Sequence, residues 1–182
     1  MVKNMQRVVV IGSSCSGKST FAMSLANLIN SPYIELDSLH WLPDWQERPD
    51  SEFRQLVQRE VDKNCWVIDG NYAVARDLLW PKATTIIWLN HSFARVFYRA
   101  IRRSIIRAAT RQVLFAGNIE TFKQSFCSKD SIIWWVLTTY HAKRRNYRSL
   151  LAQQASTGTK VIEFTSQRQI NNFFTSLAKA DV

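Results

Sequence analysis

Residues 6–20 read QRVVVIGSSCSGKST. Val8 to Ile11 is a short, continuous apolar run, and Gly12, Gly17, Lys18 and Ser19 then fill the pattern G-x-x-x-x-G-K-[ST], with Thr20 opening a helical pattern. A strand before that spacing and a helix after it are the context a Walker A phosphate loop requires. The glycines let the chain turn tightly and bring the N–H groups of Ser13, Ser14, Cys15 and Ser16 round a polyphosphate. Lys18 reaches the outer phosphates, and Ser19 offers a hydroxyl to Mg²⁺. The helix start at Thr20 adds unpaired N–H groups and the positive end of its dipole. Residues 12–20 are therefore expected to bind a nucleoside triphosphate, with ATP and Mg²⁺ as cofactors. An ordinary Gly/Ser turn would leave the lysine unexplained.

The surrounding chain has 182 residues, 46% of them apolar, enough for one α/β domain with a sizeable core. Its 24 Lys and Arg against 14 Asp and Glu give a net charge of +10, which favours anionic partners. Phosphorylated metabolites meet that condition as well as nucleic acid does. Cys15, Cys65 and Cys127 are too few and too scattered for a disulfide framework or metal cluster, and Cys65 is expected to be a buried small hydrophobe. No signal peptide or membrane-length apolar run is visible, so a cytoplasmic protein without a membrane partner is expected.

After a first helix over 20–29, Tyr33 to Leu36 reads as a second strand, with Asp37 at its C-terminal end. Ligands of open parallel sheets bind outside the carboxyl ends of strands, which makes Asp37 a candidate. The following DSLHW segment, with His40, Trp41 and then Trp45, supplies aromatic area for a substrate pocket or covers a hydrophobic edge of the domain. A helix over 52–62 leads to a third strand, 65–68, ending in Asp69, Gly70, Asn71 and Tyr72. Asp69 is thus a second strand-end carboxylate, suited to a Mg²⁺ water shell or to base catalysis. A short helix from Ala73 stops at Pro81. The fourth strand, 84–89, ends in Asn90 where a carboxylate might be sought, so metal binding by protein groups rests on Ser19 with Asp37 or Asp69.

From His91 to Arg111 the pattern is helical and basic. Arg95, Arg99, Arg103, Arg107 and Arg111 recur at i,i+4, which predicts a ribbon of guanidiniums along one face. Such a ribbon needs anions, and residues 99–129 are read as a lid that closes over a transferring phosphoryl group. Asp130 is expected to cap a helix over 131–154, with Ile133, Trp134 and Leu137 packed inward and Lys143, Arg144, Arg145 and Arg148 forming a second basic group. A fifth strand, 160–164, precedes a final helix over 168–178 capped by Ser166, whose Ile170, Phe173, Phe174 and Leu177 face the sheet.

On the VIGSSCSGKST, LDSLHW and WVIDGNY segments, together with the arginine-rich helix and the basic helix that follows it, the chain resembles the adenylate-kinase-related P-loop proteins of the DNA topology modulation type. The resemblance covers nearly the whole length. It implies a P-loop kinase-like three-layer α/β fold with a five-stranded parallel sheet ordered 2-3-1-4-5. In that family Asp37 and Asp69 correspond to the acidic strand-end positions, and Arg103, Arg107 and Arg111 to the lid side of the site. This chain departs from it at WLN after the fourth strand and in its RQVLFAGNIETF lid segment.

These readings converge on ATP·Mg²⁺-dependent phosphoryl transfer to a small nucleotide, nucleoside or hydroxylated metabolite. Lys18, Asp37, Asp69 and the lid arginines 103, 107 and 111 are the catalytic candidates. Asp37, His40, Trp41, Asn71, Tyr72 and Arg99 are the candidates for the acceptor side. A nucleotide-dependent DNA-associated protein and a simple NTPase are the alternatives, and a monomer and a homodimer both fit.

Overall fold

The computed structural model describes residues 5–110, 112–119 and 131–180. Arg111, the outer lid over 120–129 and the expected cap Asp130 lie outside them. Five parallel strands form one sheet in the order β2-β3-β1-β4-β5. They are β1 (Arg7–Gly12), β2 (Tyr33–Glu35), β3 (Trp66–Asp69), β4 (Thr85–Leu89) and β5 (Lys160–Phe164). The helices are α1 (Lys18–Leu28), α2 (Leu36–His40), α3 (Asp50–Val61), α4 (Arg76–Leu79), α5 (Phe93–Thr110), α6 (Ile132–Ser156) and α7 (Gln167–Ala180). This is the three-layer sandwich of a P-loop NTPase, with the sheet between two helical layers.

Alternation along the strands divides the core in two. Val9, Ile11, Trp66, Ile68 and Ile86 face a layer containing Phe53 and Val57 of α3 and Tyr147 and Leu151 of α6. Val8, Val10, Val67, Ile87 and Leu89 face Phe21 and Leu25 of α1 and Ile170 and Leu177 of α7. The central strands are buried on both faces, so they read as continuous apolar runs. Their burial is worth about 1.5–3 kcal/mol per large side chain.

Local chemistry sets the helix starts. In α3, Pro49 precedes a first turn carrying Asp50 and Glu52, whose charges suit the dipole. Ser166 and Gln169 make a reciprocal capping box at α7: the Gln169 N–H donates to Ser166 Oγ at 3.3 Å and the Ser166 N–H to Gln169 Oε1 at 3.2 Å. At α6 the cap is Ser131, one residue after the expected Asp130, with its Oγ accepting from the Trp134 N–H at 3.2 Å.

Several expectations are corrected by packing. β2 ends at Glu35, in register with Asp69, and Asp37 stands in the first turn of α2. The chain turns there because Leu36 is fully buried against Gly70, where a Cβ would come within 2.7 Å of the leucine side chain. Cys65 is exposed, since β3 starts one residue later at the fully buried Trp66. Trp134 and Leu137 are exposed, because the buried stripe of α6 is Val136, Tyr140, Tyr147 and Leu151. Pro81 lies inside a 3₁₀ turn, Trp80–Lys82, which extends the chain past the end of α4. Among the described residues, no helix is long and apolar enough to cross a membrane.

Candidate functional site: a phosphate loop between an acidic and a basic wall

β1 delivers the chain to Gly12, which has no room for a side chain: a Cβ there would stand 2.7 Å from both Leu89 O and Ser16 Oγ. Asn71, placed beside it by the β1–β3 register, grips the Gly12 peptide from two sides. Its Oδ1 accepts from the Gly12 N–H at 3.2 Å, and its Nδ2 donates to Gly12 O. The Ser16 N–H returns to Ser13 O at 3.0 Å, and Cys15 takes a left-handed conformation, half-buried against the cluster of Val96, Ala100, Val136 and Tyr140. Gly17, at φ 94°, stands at the N-cap of α1. Lys18 Nζ donates to Ser13 O at 3.3 Å, across the mouth of its own loop. Ser14 lies within this turn, and Thr20 is the third residue of α1.

Arg99 supports the loop from α5. One guanidinium nitrogen donates to Ser16 O at 2.9 Å and the other to Gln167 Oε1 at 3.3 Å, which joins the phosphate loop to the start of α7. Between them opens a cleft of ≈ 500 Å³ lined by Gly17, Thr20, Arg99, Gln167, Asn171 and Phe174. Arg99, expected on the acceptor side, thus belongs to this cleft. The arginine ribbon does not keep to one face. A four-residue step overshoots the 3.6-residue turn by about 40°, so the row winds round the helix. Arg95 is exposed, Arg99 touches the phosphate loop, and Arg103 and Arg107 are half-buried.

The opposite wall is acidic. Ser19 comes within side-chain hydrogen-bonding reach of Asp69, Glu35 and Tyr33. The Tyr33 hydroxyl donates to Asp69 Oδ1 at 3.3 Å and the Tyr72 hydroxyl to Asp37 Oδ1 at 2.7 Å. Burial pushes the Asp69 carboxyl up from its ordinary value, while Ser19 and Lys18 pull it back and the charge of Asp37 adds to the rise. Burial likewise raises Glu35, helped by Asp69 and Asp37. The Tyr72 phenol is raised by burial and by Asp37, so it remains a donor. Glu35 is a residue that sequence reasoning missed, because the second strand was expected to run on to Leu36 and ends instead at Glu35.

Oxygen ligands alone, a hydroxyl beside carboxylates, are the donor set a hard divalent cation prefers. Among the described residues no three His, Cys, Asp or Glu side chains stand close enough to hold a metal by themselves. An ion here would rely on phosphate oxygens and water, which is how Mg²⁺ is commonly bound. The residues therefore fit Mg²⁺ carried in with a nucleotide.

A second missed residue is Lys143. It projects from α6 with Nζ 4.5 Å from the Trp135 ring centroid, near enough to Lys18 and Asp37 for both charges to act on it. Burial pulls its ammonium down to about 8, Lys18 adds to the fall, and Asp37 opposes it. Its place three residues after Tyr140 and four before Tyr147, on the buried stripe, was the signal in the sequence. Of the expected second basic group, Lys143 and Arg144 are half-buried and only Arg145 and Arg148 are exposed. The Nε atoms of Arg103 and Arg144 are buried without a hydrogen-bond partner.

His40 and Trp41 are close to this wall, and the Trp41 main-chain N–H donates to Asp37 O at 3.1 Å, closing α2. His40 is buried, its ring 4.5 Å from that of Tyr72 and 5.0 Å from that of Trp41, and Nε2 is 3.9 Å from Glu47. Asn90 points elsewhere, donating to Glu163 Oε1 at 2.6 Å and tying β4 to β5.

The chain superposes on the crystal structure of a gluconokinase from Sinorhizobium meliloti 1021 with a TM-score of 0.54, over 97% of this chain and 94% of that one. The two share 17% sequence identity, so the likeness is one of fold. No protein family and no curated protein matches the sequence.

Proposed function

We propose that the protein is an ATP·Mg²⁺-dependent kinase that phosphorylates a hydroxyl of a small acceptor. The observation that carries this reading is the nearness of Lys18 to Asp69 and Asp37 and of Lys143 to Lys18 and Asp37, each close enough for its charge to act on the others beside the phosphate loop. A hydrolase needs only the donor side. Carboxylates aimed at the same space as the lysine suit an acceptor hydroxyl that must be oriented and deprotonated. The cleft lined by Arg99, Gln167 and Phe174 takes the nucleoside, the loop N–H groups and Lys18 take the β- and γ-phosphates, and Ser19 with Asp69 would hold a hydrated Mg²⁺, which would neutralise developing charge. Asp37, kept in place by Tyr72, accepts the proton. Lys143, Arg103 and Arg107 supply positive charge to the moving phosphoryl group, the role also expected of Arg111, which lies outside the described residues. The overall likeness to a gluconokinase, and the resemblance to adenylate-kinase-related proteins, support a small-molecule acceptor over nucleic acid.

ADP formation measured with Mg²⁺ and ATP, alone and with gluconate, related sugar acids, polyols, nucleosides and nucleoside monophosphates, tests the proposal. Release stimulated at least tenfold by one acceptor class, with a phosphorylated product, is the expected result. Equal ADP release with and without every acceptor identifies a hydrolase instead.

The lowered lysine sets a pH limb. Lys143 attracts phosphate only as an ammonium, so kcat/KM should be level up to about pH 8 and fall about tenfold per unit above it. Lys143→Arg should carry that limb beyond pH 10, because guanidinium stays charged. Stability runs the other way. A lysine lowered by folding contributes stability present above its unfolded value of 10.5, and this is lost as pH falls through about 8. A pH–rate profile that keeps its limb near 8 in Lys143→Arg removes the lysine from the reaction.

A further inference from the structure

Asn118 lies on the segment that follows α5, far from the phosphate loop, and nothing in its sequence surroundings marks it. It is nevertheless buried, at 6% exposure, and its amide is spent on the backbone of another loop. Oδ1 accepts from the Trp45 N–H at 3.0 Å, and Nδ2 donates to Leu42 O at 2.9 Å. A third contact, Trp45 Nε1 to Ile119 O at 3.5 Å, joins the same two segments. The segment is itself folded into a tight loop: Val113 and Ile119 form an antiparallel bridge, the Leu114 N–H donates to Asn118 O at 2.7 Å, and the 3₁₀ turn Phe115–Gly117 lies against both α2 and the Pro43–Trp45 turn.

The loop that Asn118 holds is strained. Asp44 and Trp45 both take left-handed conformations, φ 60° and 55°, which L residues keep only where the surroundings hold them. From Trp45 the contacts run on without a gap. Its ring meets Trp41 edge-on at 5.6 Å, Trp41 meets His40 at 5.0 Å, His40 meets Tyr72 at 4.5 Å, and Tyr72 donates to Asp37 at 2.7 Å.

We infer that Asn118 is a positioning residue that completes the acceptor side of the site: by docking the 113–119 segment onto the Leu42–Trp45 loop, it fixes the aromatic row that holds Asp37. This rests on the kinase reading for its chemistry and on the contacts alone for its geometry. The 113–119 segment and the acceptor wall then form one body. An acceptor resting against that wall favours docking of this segment, and by linkage docking favours the acceptor to the same degree. The donor side has its own supports, Asn71 and Arg99, and stays independent of this contact.

Hydrogen exchange by mass spectrometry on the full chain tests the geometry, comparing Asn118→Ala and Asn118→Asp with the parent. Asn118→Ala should speed exchange at least tenfold in residues 42–46 and also in the 36–41 segment carrying Asp37. Exchange in 12–19 and the Kd for a fluorescent ATP analogue should stay within twofold. Asn118→Asp, which can still accept from the Trp45 N–H, should protect that amide better than alanine does. Acceleration confined to 42–46 and 113–119 makes Asn118 a local contact only and overturns the inference, as does no acceleration at all. Turnover supplies the second arm, with gluconate as first probe and the best acceptor of the panel after it. Asn118→Ala should raise the acceptor KM at least tenfold and leave that for ATP within twofold; equal changes in both also overturn it. A parent protein with no acceptor-stimulated turnover refutes the kinase reading, and the exchange arm then decides the inference by itself.

Discussion

Lys18→Ala is expected to lower phosphoryl transfer by about 10³-fold or more while the protein stays folded, because the lysine supplies charge where the transition state gathers it. Its ammonium donates to Ser13 O, inside its own loop, so the side chain does little for the fold. Asp37→Asn separates the two halves of the reaction. Asparagine keeps an oxygen for the Tyr72 hydroxyl to donate to, so the local structure should survive. It cannot take a proton from an acceptor, and turnover should fall about 10²–10⁴-fold. Binding of a fluorescent ATP analogue should be weakened much more by Lys18→Ala than by Asp37→Asn, since Asp37 faces the crevice from the acceptor side. Steady-state turnover and equilibrium binding on both variants give the answer. Equal retention of turnover in the two, or loss of nucleotide binding in Asp37→Asn, removes the division of labour proposed here.

The parts of the site that were legible in the sequence are those whose chemistry is local. Gly12, Gly17, Lys18 and Ser19 declare a phosphate loop because the spacing itself makes the cradle. The strand 160–164 and the Ser166 cap were readable for the same reason, each resting on neighbours in the chain. What was hidden depends on contacts between distant segments. Asn71 reads as an acceptor-side polar residue but is bound to the Gly12 peptide, since the register Val10↔Asp69 brings the end of β3 beside the loop. The face of α6 was misread because Trp134 and Leu137 are large and apolar, yet the helix packs through Val136 and Tyr140 against Val96 and Ala100 of α5. Only that register shows that Lys143 points inward. Asn118 had no local signal whatever, because its two partners are backbone groups more than seventy residues away.

Gly12→Ala should damage both the fold and the phosphate loop, for a reason that can be isolated by experiment. Its new Cβ would meet Leu89 O and Ser16 Oγ at 2.7 Å and Leu89 Cβ at 3.3 Å. Leu89 O is main chain of the strand paired in register with Gly12, so it cannot swing aside as the end of a flexible side chain would. Relief requires either parting β1 from β4 at their C-terminal ends or rotating the phosphate loop, and the second also breaks the Asn71 grip on the Gly12 peptide. Overpacking of this kind costs about 2–3 kcal/mol, which in a domain of this size lowers Tm by about 5–10 °C. Gly158 is the control: its φ is +90°, but a Cβ there meets nothing within 4 Å. Gly158→Ala should therefore show only the backbone penalty of about 1–2 kcal/mol and leave nucleotide binding unchanged. Urea unfolding at constant m, read beside ATP-analogue binding, distinguishes the two. A Gly12→Ala protein that unfolds at the Gly158→Ala midpoint and still binds nucleotide would mean that the β1–β4 junction yields, and that the loop is not held as tightly as Leu89 and Asn71 together require.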